Sequence, residues 1–145
     1  MELSTQCAVY RQVVDRTVCI QAETEGRVLV VRASLADDWA VRLVVDTGAG
    51  TSALSLSCAR RVGAAIQEGF RVRTPTGLTA VGRLRVPLLR VGPLEVREQR
   101  LAVVPLPNDR VDGLLGLDFF RSVGAEAVTL RFAPPQVEVR LAAPT

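Results

Sequence analysis

Short apolar runs separated by Gly, Pro and acidic turn residues make up most of the chain. Arg27–Leu35 is rich in Val and Leu and predicts a strand, and the pair Glu25-Gly26 before it predicts a turn. Asp37-Asp38 predicts a second turn, and Trp39–Val45 predicts the next strand. These two strands form a predicted hairpin, whose second strand ends at the carboxylate of Asp46.

A second hairpin is predicted over Phe70–Val91. Its polar tip is expected at Thr74, Pro75, Thr76 and Gly77, because Pro and Gly disfavour the centre of a strand. Pairing Val72 with Leu84 would place arginines directly opposite arginines, which is unfavourable. Either the register differs, or these arginines face acidic partners such as a substrate, or they are solvated residues that protect a strand edge.

Helical signals are limited to two short segments. Between Ser55 and Gly63 the apolar residues recur every three to four positions, with Ser55 as the expected N-cap and Gly63 as the expected end. Leu117–Val123 has a helix-like composition and is followed by Gly124. The remaining apolar runs predict strands at Leu94–Val104, Glu126–Phe132 and Gln136–Leu141.

Many short strands with regular turn signals predict a closed all-β fold with one or two short helices. The length of 145 residues suits one domain. We assign residues 27–145 to that domain and treat residues 1–26 as an N-terminal extension or first strand without an assigned role. Aromatic residues are only 4% of the chain, so Val, Leu and Ala have to fill the core.

Composition also bears on location. No apolar run approaches the roughly 20 residues of a membrane span, and residues 1–7 lack the basic and apolar regions of a signal peptide. We therefore expect a cytoplasmic protein without a membrane partner.

Charge and cysteine content exclude several classes of site. All 18 basic residues are Arg, the net charge is only +3, and the arginines are scattered, so a nucleic-acid partner is not expected. The chain has no His, which excludes Ser-His-Asp and Cys-His catalysis and most zinc sites. Cys7, Cys19 and Cys58 lack metal-ligand spacing, and we expect neither a metal nor a cofactor.

The remaining candidate for chemistry is Asp46, in the stretch Val-Val-Asp-Thr-Gly-Ala-Gly-Thr-Ser. A carboxylate on a short glycine turn can approach a second carboxylate, and such a pair shares one proton because both cannot ionise at close range. Gly48 would allow the close backbone approach. The plainer interpretation is an ordinary turn, since Asp and Gly both favour turns.

A second motif, Leu114-Leu115-Gly116, follows about 70 residues later. Together with Asp-Thr-Gly-Ala it resembles the retropepsin-like family of single-domain aspartic proteases, in its cellular and bacterial branch. The resemblance covers roughly 28–141 and implies a closed acid-protease barrel. It also implies that Thr47, Gly48 and Ala49 support the catalytic loop, that Leu114, Leu115 and Gly116 form a strand beneath it, and that residues 74–77 form a flap over the substrate.

The resemblance further implies an aspartic endopeptidase that hydrolyses polypeptide substrates. The chain holds one Asp-Thr-Gly, and Asp112-Gly113 lacks the spacing of a second copy. Activity would therefore require a homodimer in which Asp46 of each subunit meets the other at a two-fold axis. The terminal strand Gln136–Leu141 is the expected dimer contact.

Two positions depart from the retroviral pattern. An acidic residue usually follows Asp-Thr-Gly-Ala and an Arg usually follows the apolar-apolar-Gly triplet, whereas this chain has Gly50 and Leu117 there. Two other interpretations therefore stay open. One is a retropepsin-like module that binds peptides or dimerises without cleaving, and the other is an unrelated β-barrel interaction domain with a chance motif.

Overall fold

The computed structural model of the chain describes residues 16–36, 38–63, 65–73, 79–106 and 109–143. Within them it contains ten strands and two short helices. The strands are β1 (Arg16–Glu25), β2 (Val28–Leu35), β3 (Trp39–Val45), β4 (Ala53–Ser55), β5 (Gln67–Arg73), β6 (Thr79–Val91), β7 (Leu94–Val104), β8 (Gly113–Leu115), β9 (Ala125–Phe132) and β10 (Pro135–Leu141). The helices are α1 (Leu56–Val62) and α2 (Leu117–Ser122).

All ten strands belong to one sheet, in the order β5-β6-β7-β4-β8-β3-β2-β1-β10-β9. An additional pairing of β2 with β6 closes the central part of the sheet on itself, with Leu35 opposite Leu89. Most neighbours are antiparallel, but β8 runs parallel to β3 and β4 runs parallel to β7. The predicted all-β fold with two short helices is confirmed.

The core is built from Val, Leu and Ala, as the low aromatic content requires. Alternate residues of β3 and β6 face it, since a strand turns every second side chain to the same face. Phe119 and Phe120 of α2 add two aromatic rings, packed edge to face with centroids 5.6 Å apart. A second, smaller apolar cluster contains Ala53, Ala80 and Val104.

Local signals set the limits of α1. The Ser55 side chain accepts a hydrogen bond from the Cys58 amide at 3.0 Å, and Gly63 ends the helix at a φ of +75°. This is the cap pattern expected for Ser before a helix and Gly after it. Helix α2 ends at Ser122, one residue earlier than predicted, and Gly124 follows at a φ of +78°.

The register of the second hairpin differs from the Val72–Leu84 pairing, which is one of the alternatives that the sequence left open. Val72 pairs with Ala80 and Arg73 with Thr79, whereas Leu84 pairs with Leu101 of β7. The connection between β5 and β6 is only residues 74–78, and a connection this short brings Arg73 opposite Thr79. The predicted tip residues Thr74, Pro75, Thr76 and Gly77 lie outside the described part of the chain.

The ends of the domain pair with each other. Strand β1, which falls in the segment that had no assigned role, pairs with β10 over 16–21 and then with β2 over 22–25. Strand β10 lies between β1 and β9, so both of its hydrogen-bonding edges are occupied. The prediction that Gln136–Leu141 supplies the dimer contact therefore fails for main-chain pairing, and the strand at this end of the sheet is β9.

In the residues that the structure describes, no helix is long and apolar enough to cross a bilayer.

Candidate active site

Asp46 directly follows Val45, the last residue of β3. Val44 and Val45 pair with Leu114 and Leu115 of the parallel strand β8. The amide of Asp46 continues this ladder by donating to the Leu115 carbonyl at 3.0 Å. Strand β8 thus fixes the backbone on which the carboxylate is carried, and the Asp46 side chain stays only half-buried.

The turn after Asp46 is held by the aspartate itself. Its Oδ1 accepts a hydrogen bond from the Gly48 amide at 3.0 Å, and its carbonyl accepts one from Ala49 at 3.1 Å. A Cβ on Gly48 would lie 3.3 Å from that Oδ1, which explains why glycine suits the position. Thr47 and Gly48 are exposed and Ala49 is buried, so the loop presents its tip to solvent and anchors its far side.

The anchor on the far side is Gly116. The Ala49 carbonyl accepts a hydrogen bond from Leu117 at 2.9 Å, and a Cβ on Gly116 would lie 2.7 Å from that carbonyl oxygen. Only a residue without a side chain allows this approach. The structure therefore brings Leu114, Leu115 and Gly116 against the Asp46 loop.

Ser52 and Asp118 complete this anchor. Ser52 is fully buried, and its amide and hydroxyl donate to Asp118 Oδ1 at 3.0 and 2.7 Å. The Ser52 oxygen in turn accepts from the Gly116 amide at 2.8 Å. Sequence reasoning missed both residues. A usable signal was Asp118 in the first turn of a predicted helix, where an acid favours amide donors.

Gln99 of β7 joins the same carboxylate from the other side. Its side-chain amide donates to Asp118 Oδ2 at 3.1 Å and to the Arg100 carbonyl at 2.7 Å. Its Oε1 is buried and has no hydrogen-bond partner among the described residues. Gln99 is 5% exposed, so the loop of Asp46 is tied through Asp118 into the core side of β7.

Asp112, the acid of the other Asp-Gly pair, is already engaged. Its Oδ2 accepts from the Arg42 amide and its Oδ1 from the Arg61 guanidinium, both at 2.8 Å. The hydrogen bond to Asp112 raises the pKa of Arg61, and burial, with a smaller effect of the Asp112 charge, raises the pKa of the nearby Cys58 thiol. Asp112 thus joins β3 and α1 and has a structural role.

The surface beside Asp46 is apolar. Val44 and Leu114 lie on the face of β3 and β8 that is opposite the main core, and both are partly exposed. The small apolar cluster of Ala53, Ala80 and Val104 continues this face, with Ala102 and Leu106 packed against it. An extended chain lying past Asp46 would meet apolar side chains there.

The comparisons with known proteins concern the family and the fold. Residues 31–122 match the family model described as "gag-polyprotein putative aspartyl protease". The fold resembles a retropepsin-like aspartic protease from Rickettsia conorii, with a TM-score of 0.60 and 15% identity over 89% of this chain and 93% of that one. It also resembles EIAV protease complexed with the inhibitor HBY-793, with a TM-score of 0.55 and 19% identity over 74% and 98%. No match was found among curated protein sequences.

Proposed function

The chain belongs to the gag-polyprotein aspartyl protease family and has the retropepsin-like fold, and we propose that it is an aspartic endopeptidase active as a homodimer. The observation that carries the proposal is Asp46 on a solvent-facing glycine turn, fixed from below by Leu115 and Gly116. One such turn is present in each chain, so the second carboxylate comes from Asp46 of the other subunit.

The proposed dyad activates water. The ionised Asp46 takes a proton from water as the water oxygen bonds to the scissile carbonyl carbon, and the protonated Asp46 gives its proton to the carbonyl oxygen. The tetrahedral intermediate then returns a hydroxyl proton to one carboxylate, while the other protonates the amide nitrogen. The C–N bond breaks, which leaves a carboxylic acid and an amine, and the dyad again shares one proton.

The substrate proposed for this dyad is an extended polypeptide. It would bind by main-chain hydrogen bonds, with alternate side chains turned toward the enzyme. Because Val44 and Leu114 flank Asp46, we propose apolar side chains next to the scissile bond. Residues 74–77 remain the proposed flap, and the cytoplasm remains the proposed compartment.

We propose β9 as the strand through which the subunits meet. It is the terminal strand of the sheet beside β10, and an isologous contact could pair it with its own copy across the two-fold axis. Phe132, near its end, is 60% exposed and is an apolar group that a partner would cover.

Asp46→Asn tests the dyad, because the amide cannot accept the proton of the attacking water. We expect cleavage of an apolar, internally quenched peptide library to fall by about 10³-fold or more, with unchanged sedimentation and thermal unfolding. Asp38→Asn, the same substitution at an exposed turn, is the matched control and should cleave like the parent chain.

Retained cleavage in the Asp46→Asn variant would refute the catalytic role. If the parent chain binds peptides without cleaving them, at concentrations where it is fully dimeric, the non-catalytic binding module is the better description.

A further inference from the structure

The outward face of β6 and β7 carries three arginines close together. Arg85 lies directly opposite Arg100, and Arg83 lies two residues before Arg85 on the same face, opposite Ala102. With Ala65, Gln67 and Leu84 these side chains line a groove of about 400 Å³. We call Arg83, Arg85 and Arg100 with this space the arginine groove.

Among the described residues, the facing pair Arg85 and Arg100 has little negative charge beside it. Glu98 contacts Arg85 at 3.7 Å, and both side chains are more than half exposed. The Nε of Arg83 donates to the neutral Oε1 of Gln67 at 2.9 Å. No carboxylate among the described residues pairs with Arg100.

Several other arginines of the described chain pair with acids at shorter distances. They include the pairs Arg61–Asp112, Arg90–Glu95, Arg32–Glu23 and Arg131–Glu138, at 3.2 Å or less. Directly opposed like charges destabilise a pair of strands, so the fold gains nothing from placing Arg85 opposite Arg100. A carboxylate bound between Arg85 and Arg100 would remove that repulsion and accept paired guanidinium hydrogen bonds.

We propose that the arginine groove binds an acidic segment of the polypeptide substrate, away from the residues that are cleaved. This proposal rests on the proposed peptidase function and adds a class of substrate to it. The arginine groove lies on β6, which leads directly from residues 74–78, so a substrate held near those residues could extend onto it. None of the lining residues that the structure describes is aromatic, which favours a peptide over a single-stranded nucleic acid that would need stacking.

The binding test uses the full chain in the Asp46→Asn background, so that no cleavage interferes. The probe is a fluorescein-labelled peptide of alternating Glu and Ser, compared with the same peptide carrying Gln for Glu, by fluorescence anisotropy at low salt. We expect Arg85→Gln with Arg100→Gln to weaken binding of the acidic peptide by about tenfold or more, because two charged hydrogen-bond donors are lost. Added salt should weaken the parent interaction in the same direction.

Arg97→Gln is the matched control. Arg97 is an exposed arginine of β7 that does not line the arginine groove. It should bind like the parent. Equal binding of the Glu and Gln peptides, unchanged binding in the double variant, or an equal loss in the Arg97 variant would each overturn the proposal. So would tighter binding of an oligothymidine through the same arginines.

A second measurement links the groove to catalysis. In the active chain, an acidic tail on a cleavable peptide should lower KM with kcat unchanged, and the double variant should lose that advantage. If acidic peptides bind but nothing is cleaved, the arginine groove stands and the peptidase function fails. If cleavage occurs without an effect of the tail, the peptidase function stands and the proposed role of the arginine groove fails.

Discussion

At the residue scale, Asp118 anchors Ser52, the residue that follows the Asp46 loop by a short stretch of chain. Its two oxygens accept from the Ser52 amide and hydroxyl, from Gln99 and from the Phe119 amide. A buried donor that loses its acceptor costs about 1–3 kcal/mol. The carboxylate therefore holds together three parts of the chain that are far apart in sequence.

Asp118→Ala should destabilise the fold by about 2–4 kcal/mol, since the amide and hydroxyl of Ser52 and one of the two N–H groups of Gln99 would lose their acceptor. Asp118→Asn should cost about 1 kcal/mol or less, because its oxygen can still accept from Ser52. Its new amide can donate to Gln99 Oε1, which has no partner now, once the Gln99 amide rotates. Urea unfolding midpoints measure both variants.

Glu126→Ala, at an exposed acid of β9, is the control and should shift the midpoint little. If Asn and Ala at residue 118 destabilise equally, the hydrogen-bond network around Asp118 has no special role in stability. Cleavage by the Asn variant, measured beside unfolding, would then separate an effect on the Asp46 loop from one on the fold.

At the scale of elements, the features that could be predicted from the residues are those that neighbouring residues determine. The β2–β3 hairpin and helix α1, with Ser55 and Gly63 as its limits, follow from local periodicity and caps. The strand beneath Asp46 followed from the resemblance to a family. The β5–β6 register and the central place of β10 could not be predicted, because distant partners decide both. Asp118 was missed for the same reason: Ser52, which it anchors, lies 66 residues away.

Phe132→Asp tests the proposed role of β9. A largely exposed aromatic contributes little to the monomer, but burying it between subunits would be worth about 1.5–3 kcal/mol. We therefore expect the variant to raise the dimer dissociation constant by about tenfold or more, measured by analytical ultracentrifugation, with cleavage falling in proportion to dimer. Trp39→Asp, at another exposed aromatic, is the control, and an equal loss of dimer there would contradict the assignment.

At the scale of the whole molecule, exposed ion pairs connect neighbouring strands around the outside of the sheet. Arg131 lowers the pKa of Glu138 through a hydrogen bond between β9 and β10, with a smaller contribution from Gln136. Arg32, and to a lesser extent Arg42, lower the pKa of Glu23 and join β1 to β2 and β3. Glu138 lies on β10, the strand that pairs with β9.

Stability should fall in acid for a defined reason. Both glutamates have a folded-state pKa below the ordinary 4.5, so the unfolded chain takes up protons first as the pH falls. Their contribution is complete above pH 4.5 and is lost as the pH falls through the folded pKa. Melting temperatures between pH 6 and 3 should decline less steeply for Glu23→Gln with Glu138→Gln than for the parent, and an unchanged slope would contradict this.

The pairing of β1 with β10 also determines the stage of synthesis at which the sheet can be completed. Arg16 lies opposite Leu141, so these strands meet only after nearly all of the described chain has been made. Contacts between such distant residues form late, because closing a long loop costs entropy before the contacts stabilise the fold. Strand β9 is held to the rest of the sheet through β10. A nascent chain in which β10 has not yet been made therefore lacks the surface that is proposed to recruit its partner, and assembly has to follow the synthesis of this strand.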